Sequence, residues 1–320
     1  MRLLIFSKSF LFFFFVASTL SLDAQIISRT QILMGTYVTI SLSQKNQDHL
    51  EKSFNILKKV ESRLSSYMES SDISKLNKYK HSQIHPLTYE ALLLSKKYYK
   101  DSDGYFDISV GSITKDLYAF GENEKIPTKK ELRASFISMN GLKLTQMQAS
   151  IQKNMKLDLG GMAKGFGVDK VRAYLKTIDA DDFIIAASGD IRCMDRCSVD
   201  VQNPFKDEAL LSFTTRKKDT GISTSGNYNR YVESVKYNHL INPKLKESQN
   251  TFVSISLVSN LSSSDLDAYA TAASVMPLDK AYSFLDSYNL AYIVVQSDYK
   301  LIFSENISKF TEKLFIRYRK

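Results

Sequence analysis

Three observations on the 320-residue sequence predict an α+β fold with mixed and antiparallel sheets flanked by helices. Several short runs alternate apolar and polar positions and are rich in β-branched residues, the mark of half-buried strands. Others repeat apolar residues at the three- and four-residue spacing of an amphipathic helix. The two kinds are interspersed without the regular βαβ beat of a doubly wound sheet, so an antiparallel component is expected.

The chain opens with MRLLIFSKSFLFFFFVASTLSLDA, residues 1–24, which joins two early cations (Arg2, Lys8) to a Phe/Leu-rich run ending in small and polar residues. This is the layout of a secretory signal cleaved after Ala24. The apolar run also approaches the roughly 18 residues of a spanning helix, so an uncleaved anchor is the alternative. The protein is therefore expected to be exported, periplasmic or facing the periplasm, and associated with the membrane surface if the signal is retained. Residues 25–320 suit one large domain or two intertwined lobes. The formal charge of +9 falls to +8 without Arg2, Lys8 and Asp23, and acids and bases alternate closely. No dense basic stripe interleaves with aromatic platforms, which argues against a nucleic-acid partner.

Residues 30–43, TQILMGTYVTISLS, read as one strand, with Gly35 either admitting a ligand or marking a β-bulge. Residues 46–67 place Leu50, Phe54, Leu57, Val60 and Leu64 at helical spacing. A second helix is predicted over 88–104, closed by Gly104 as a left-handed cap. Further on, 181–192, 197–203, 209–216, 251–259 and 291–297 read as strands, and 262–276 and 279–288 as helices. Cys193 and Cys197, the only cysteines, bracket MDR. In an exported protein they suit a hairpin disulfide or two free thiols, whereas zinc needs further ligands that the four histidines do not offer.

Chemistry concentrates in a few stretches. In KLDLGGMAKGFGVDK, residues 156–170, a strand-like run precedes four glycines within eight residues and a lone Lys164, then a helix beginning near Val168. Backbone N–H groups there could face an anion, but neither the P-loop nor the dinucleotide fingerprint fits. Close packing is the competing explanation of the glycines. Tyr67, Tyr105 and Phe106 are candidates to stack on a planar heterocycle, or core residues. In residues 220–243 the hydroxyls of Ser223, Thr224 and Ser225 precede His239, the candidate general base. If 264–276 is helical, Asp267 and Thr271 share a face. A carboxylate and a hydroxyl near backbone carbonyls suit Mg²⁺ rather than zinc; alone, Asp267 is also a residue favoured by a helix N-terminus.

Taken in order, MGT, the Tyr67–Asn77 stretch, GYFD, LDLGGMAKGFGVD, SGDIR, STSGNYNRY, HLINP and DAYAT resemble the ApbE family of FAD:protein FMN transferases, from about Met34 to about Met276. The resemblance implies a T-fold kind of α+β architecture. It also implies Mg²⁺-dependent transfer of the FMN half of FAD, through a phosphodiester bond, to a threonine of an acceptor protein, with release of AMP. Acceptors in the family are flavoprotein subunits of membrane redox complexes. By the same resemblance Met34, Tyr67, Tyr105, Phe106, Asp107, Gly160, Phe166 and Ile241 contact FAD, and the Ala163 carbonyl, Asp267 and Thr271 hold the metal. His239 is the base, and Lys164 either assists a phosphate or closes an ion pair. The same pocket would also serve an FAD pyrophosphatase yielding FMN and AMP, or a non-catalytic flavin carrier. Two departures stand out: Ser188–Gly189 replaces a common double glycine, and NPKLKES replaces Asp-Pro-Arg-Thr-Gly.

Overall fold

The computed structural model describes residues 25–317; the signal read in residues 1–24 lies outside the described residues. Residues 30–43 do not form one strand. They belong to a hairpin of β1 (Ile26–Leu33) and β2 (Thr36–Ser43) whose two-residue turn is Met34–Gly35. Both turn residues have positive φ, 54° and 72°, as a turn matching the right-handed twist of paired strands requires. Gly35 is therefore neither a bulge nor a packing contact: a Cβ there would meet nothing within 4 Å.

Eight strands form the main sheet. To the hairpin it adds β3 (Phe183–Ala187) and β4 (Asp190–Cys193). A smaller sheet contains β5 (Ser198–Gln202) and β6 (Ala209–Thr215). The chain then returns to the main sheet with β7 (Thr220–Gly226), β8 (Phe252–Ser259), β9 (Ala291–Gln296) and β10 (Leu301–Phe303), and β11 (Thr311–Ile316) completes the smaller one. The orders are β1-β2-β3-β4-β7-β8-β9-β10 and β11-β6-β5. Every strand pairing among the described residues is antiparallel. The α+β class expected from the sequence is the class observed.

β8 and β9 are buried at every position, because they lie inside the sheet and both faces are covered. β7, which is not among the strands expected from the sequence, is a central strand. Its small residues are needed because a helix packs closely on it: a Cβ at Gly221 would stand 2.8 Å from Leu266 and 2.9 Å from the Arg192 guanidinium. Conversely, Lys156–Leu159 form no regular strand: their strand-like backbone pairings are the bridge of Lys156 to Val110 and the bond from Asp158 N to Ile108 O at 2.8 Å. The segment is also held by Asn77, whose side chain accepts from Leu157 N at 2.7 Å and donates to Leu157 O at 2.9 Å.

Four helices position the site: α1 (Leu50–Leu64), α2 (Pro86–Asp101), α3 (Ala163–Lys176) and α4 (Ser263–Ser274). The left-handed Gly104 expected after α2 is present, with φ 77°. Asp103 before it is left-handed too, with φ 51°, and the Gly104 N–H reaches back to Tyr99 O at 2.7 Å. α3 begins at Ala163 rather than near Val168, so Gly165 and Gly167 are helical. Cys193 and Cys197 are disulfide-bonded and buried where the chain passes from the large sheet to the small one.

One buried charge cluster holds the back of the main sheet. Arg192 on β4 is completely buried; its Nε donates to Asp219 at 2.7 Å and its Nη1 to Leu261 O at 2.6 Å. Arg172 and Lys176 of α3 converge on the same carboxylate. Burial disfavours the Asp219 charge, yet these three cations outweigh it and hold the carboxyl well below its ordinary range.

Candidate functional site

α3 and α4 are locked N-terminus to flank. The Asp169 carboxylate, in the second turn of α3, accepts from Ser263 N and Ser264 N, both at 2.8 Å, and so satisfies two of the open N–H groups of α4. Gly165 makes this approach possible: a Cβ there would lie 2.2 Å from Ser263 O and 2.8 Å from Asp267 Cβ. Close packing, not an anion cradle, explains this glycine.

The lock sets the geometry beside it. Asp267 and Thr271 lie one turn apart on α4, as their spacing predicts, and both face a cavity of about 790 Å³. Asp267 Oδ2 accepts from Gly165 N at 3.0 Å. Thr271 Oγ1 donates to Gly161 O at 3.3 Å and stands 3.3 Å from Ser225 Oγ. Lys164 Nζ is 2.9 Å from Asp190 Oδ2 and 3.7 Å from Asp267 Oδ2. Ser223 Oγ donates to the other oxygen of Asp190. Burial, and then the Asp190 charge, push the Asp267 carboxyl above its usual range. For Lys164 burial works against the charge, but Asp190 and Asp267 overcome it and raise the ammonium's pKa.

His239 enters the cavity from the segment before Ile241–Asn242, and its Nδ1 lies 3.1 Å from Arg230 O. A carbonyl only accepts, so Nδ1 carries the hydrogen and Nε2 keeps a free lone pair. Burial, reinforced by the Arg230 charge, lowers the pKa to about 4.

Tyr67 forms the far wall. Its hydroxyl donates to Phe120 O at 2.9 Å and accepts from Arg230 Nη2, while Lys115 Nζ sits 3.4 Å from the centre of one ring face. Met34, Tyr105, Phe106, Asp107, Gly160, Ala163 and Ile241 also line the cavity. The Asp107 carboxylate is occupied locally, accepting from Ser109 N at 2.8 Å and Ser109 Oγ at 2.6 Å, and burial raises its pKa against those bonds. Phe166 is the exception among the expected contacts. It does not line the cavity; its ring is buried in the core with Lys170 Nζ 4.7 Å above it.

Sequence reasoning missed Asp158 and Arg230 as wall residues and Asp190 as the partner of Lys164. Burial opposes the Asp158 charge, but Lys115, the Thr114 hydroxyl and Gly160 N–H hold its pKa low. The SGDIR motif contains Asp190, but nothing in the sequence connects it to Lys164. Both departures keep special backbone geometry: Ser188 has φ 57° and Lys246 φ 58°. Lys246 occupies the glycine position of the Asp-Pro-Arg-Thr-Gly pattern, and its Nζ donates to Arg133 O and Ser135 O at 3.0 and 2.7 Å. The loop thus keeps a left-handed residue without the glycine.

The oxygen donors around Asp267 fit a hard divalent cation. Among the described residues no three His, Cys, Asp or Glu side chains cluster tightly enough to hold a metal alone. An ion here would use one carboxylate, a hydroxyl, carbonyls and ligand oxygens, as Mg²⁺ does beside phosphates.

Comparison with known proteins gives this geometry a context. Over 257 residues the chain is 26% identical to the FAD:protein FMN transferase of Vibrio cholerae serotype O1, covering 75% of this chain and 77% of that protein. Over 324 residues it is 26% identical to the FAD:protein FMN transferase of Haemophilus influenzae, covering 88% and 92%. The crystal structure of the ApbE protein from Thermotoga maritima superposes with a TM-score of 0.83 at 22% identity, covering 90% of this chain and all of that one. The ApbE family profile matches residues 34–294, from the turn that opens the cavity to the sheet that backs it, and the chain belongs to the ApbE family.

Proposed function

We propose that this protein is an FAD:protein FMN transferase that moves the FMN half of FAD onto a threonine hydroxyl of an acceptor protein, with Mg²⁺ as cofactor. One observation carries the reading: Asp267, Thr271, Lys164 and His239 converge on one cavity that extends to the exposed ring of Tyr67. Phosphate chemistry and a stacking platform therefore share a single space of the size that encloses a cofactor.

In this reading the flavin stacks on the Tyr67 face opposite Lys115, while Arg230 and Phe120 O fix the ring's orientation. The diphosphate lies over the N-terminus of α3, near Lys164. Asp267, Thr271 and the Ala163 carbonyl hold Mg²⁺, which when bound neutralises charge on the phosphate oxygens. His239 Nε2 takes the threonine proton as the threonine Oγ forms its bond to the FMN phosphorus. The P–O bond to the AMP half breaks, and AMP leaves. The acceptors are flavoprotein subunits of membrane redox complexes, and the expected export signal puts the enzyme on the periplasmic side with them.

The test is incubation with FAD, Mg²⁺ and a candidate acceptor subunit. Flavin fluorescence on the denatured acceptor, lost in Asp267→Ala, supports the transferase. Free FMN and AMP would identify a pyrophosphatase, and unchanged FAD a carrier.

A further inference from the structure

Lys164 stands between two carboxylates presented by different elements, Asp190 of β4 and Asp267 of α4. Its ammonium is 2.9 Å from the first and 3.7 Å from the second, and the two carboxylates are only 2% and 4% exposed. Ser223 of β7 fixes the other oxygen of Asp190, so Lys164 is anchored on Asp190 and leans toward Asp267. Gly165 N–H, fixed in α3, holds Asp267 in place.

The charge count matters. Asp190, Asp267 and Lys164 together carry a single net negative charge, and no third acidic, histidine or cysteine ligand joins the two carboxylates among the described residues. A divalent cation entering alone would share Asp267 with a cation already 3.7 Å away. At such short range in a poorly screened site, like-charge repulsion is large. A diphosphate ligand adds negative charge on the open side of the same site and reverses that balance.

We infer that Lys164 is a tethered competitor for the metal: it keeps divalent-cation affinity low in the free protein, so that the cation and the diphosphate load together. This rests on the reading above, in which Asp267 and Thr271 hold Mg²⁺ beside a diphosphate. Linkage makes the coupling reciprocal, so the diphosphate tightens the metal by the same factor as the metal tightens the diphosphate.

Calorimetric titration of the purified protein with Mg²⁺, with and without saturating ADP as the diphosphate probe, tests it. The wild type should bind Mg²⁺ at least about tenfold more tightly with ADP, a modest coupling on the usual scale. Lys164→Gln should tighten Mg²⁺ binding to the free protein and shrink the ADP effect, whereas Lys164→Arg should resemble the wild type. Asp190→Asn, which releases the ammonium toward Asp267, should weaken Mg²⁺ binding. A folded Lys164→Gln protein, checked by circular dichroism, with unchanged or weaker Mg²⁺ affinity would overturn the inference, because a merely structural lysine gives that sign. Equal wild-type affinity with and without ADP would overturn it even if Lys164→Gln fails to fold. Mg²⁺ binding unaffected by Asp267→Ala would instead defeat the metal reading itself, and the inference with it.

Discussion

The ring of His239 is tied through Nδ1 to the carbonyl oxygen of Arg230, 3.1 Å away, and this bond decides which nitrogen can act as a base. With the pKa lowered to about 4, Nε2 is free of protons throughout the neutral range. At saturating Mg²⁺, which keeps the Asp267 carboxylate ionised, the rate of flavin transfer should therefore be flat from pH 8 to about pH 5 and fall only as pH drops toward 4, rather than near the 6.5 of a free imidazole. His239→Gln should lower kcat by roughly 10²-fold or more and remove the acid limb. A limb centred at 6.5 in the wild type would place the base elsewhere.

Gly165→Ala should separate α3 from α4. The new methyl would collide with Ser263 O and Asp267 Cβ, and overpacking of this kind costs about 1–3 kcal/mol. Denaturant unfolding should show a lower midpoint, and transfer should fall as well because Asp267 is displaced. An unchanged midpoint with full activity would mean the helices move apart freely.

Asp219→Asn should be among the most destabilising single changes in the main sheet. It leaves the fully buried Arg192 without its carboxylate, a loss worth about 3–5 kcal/mol where a buried pair is broken. The pH dependence follows from the depressed carboxyl. Its contribution is fully present above the unfolded value of about 4 and disappears as pH falls toward the lower folded value. Acid titration of the melting temperature should show that decline in the wild type and a shallower one in the variant.

Replacing Cys193 and Cys197 together by serine should cost about 2 kcal/mol by the loop-closure relation for so short a ring. Transfer should persist, since neither sulfur lines the cavity. Thermal melts of oxidised, reduced and double-serine protein compare the three directly; loss of activity on reduction alone would tie the bridge to the site.

Much of the site was legible because it is written within single elements. Asp267 and Thr271 are neighbours on a helix by spacing alone, and α1 carries its buried face at Leu50, Phe54, Leu57, Val60 and Leu64 as expected. What failed is what depends on partners far along the chain. β7 goes unrecognised as a strand because its residues are small and polar, and Gly221 has no room for a side chain because Leu266 and Arg192 press on it. Lys164 meets Asp190 only after α3 folds against β4. Phe166 shares a glycine-rich segment with residues that line the cavity, yet its ring points into the core. One helical segment thus serves two surfaces, and composition does not say which residue faces which.

The pairing of β2 with β3 has a consequence for biogenesis. Val38, Ile40 and Leu42 are completely buried in the finished protein, but the strand that covers their edge is Phe183–Ala187. During synthesis the first hairpin must wait, apolar and with an open edge, until that distant segment is made. Non-local pairing of this kind slows folding and exposes aggregation-prone surface. A chain truncated before Phe183 should therefore be a client for chaperones rather than a partial enzyme.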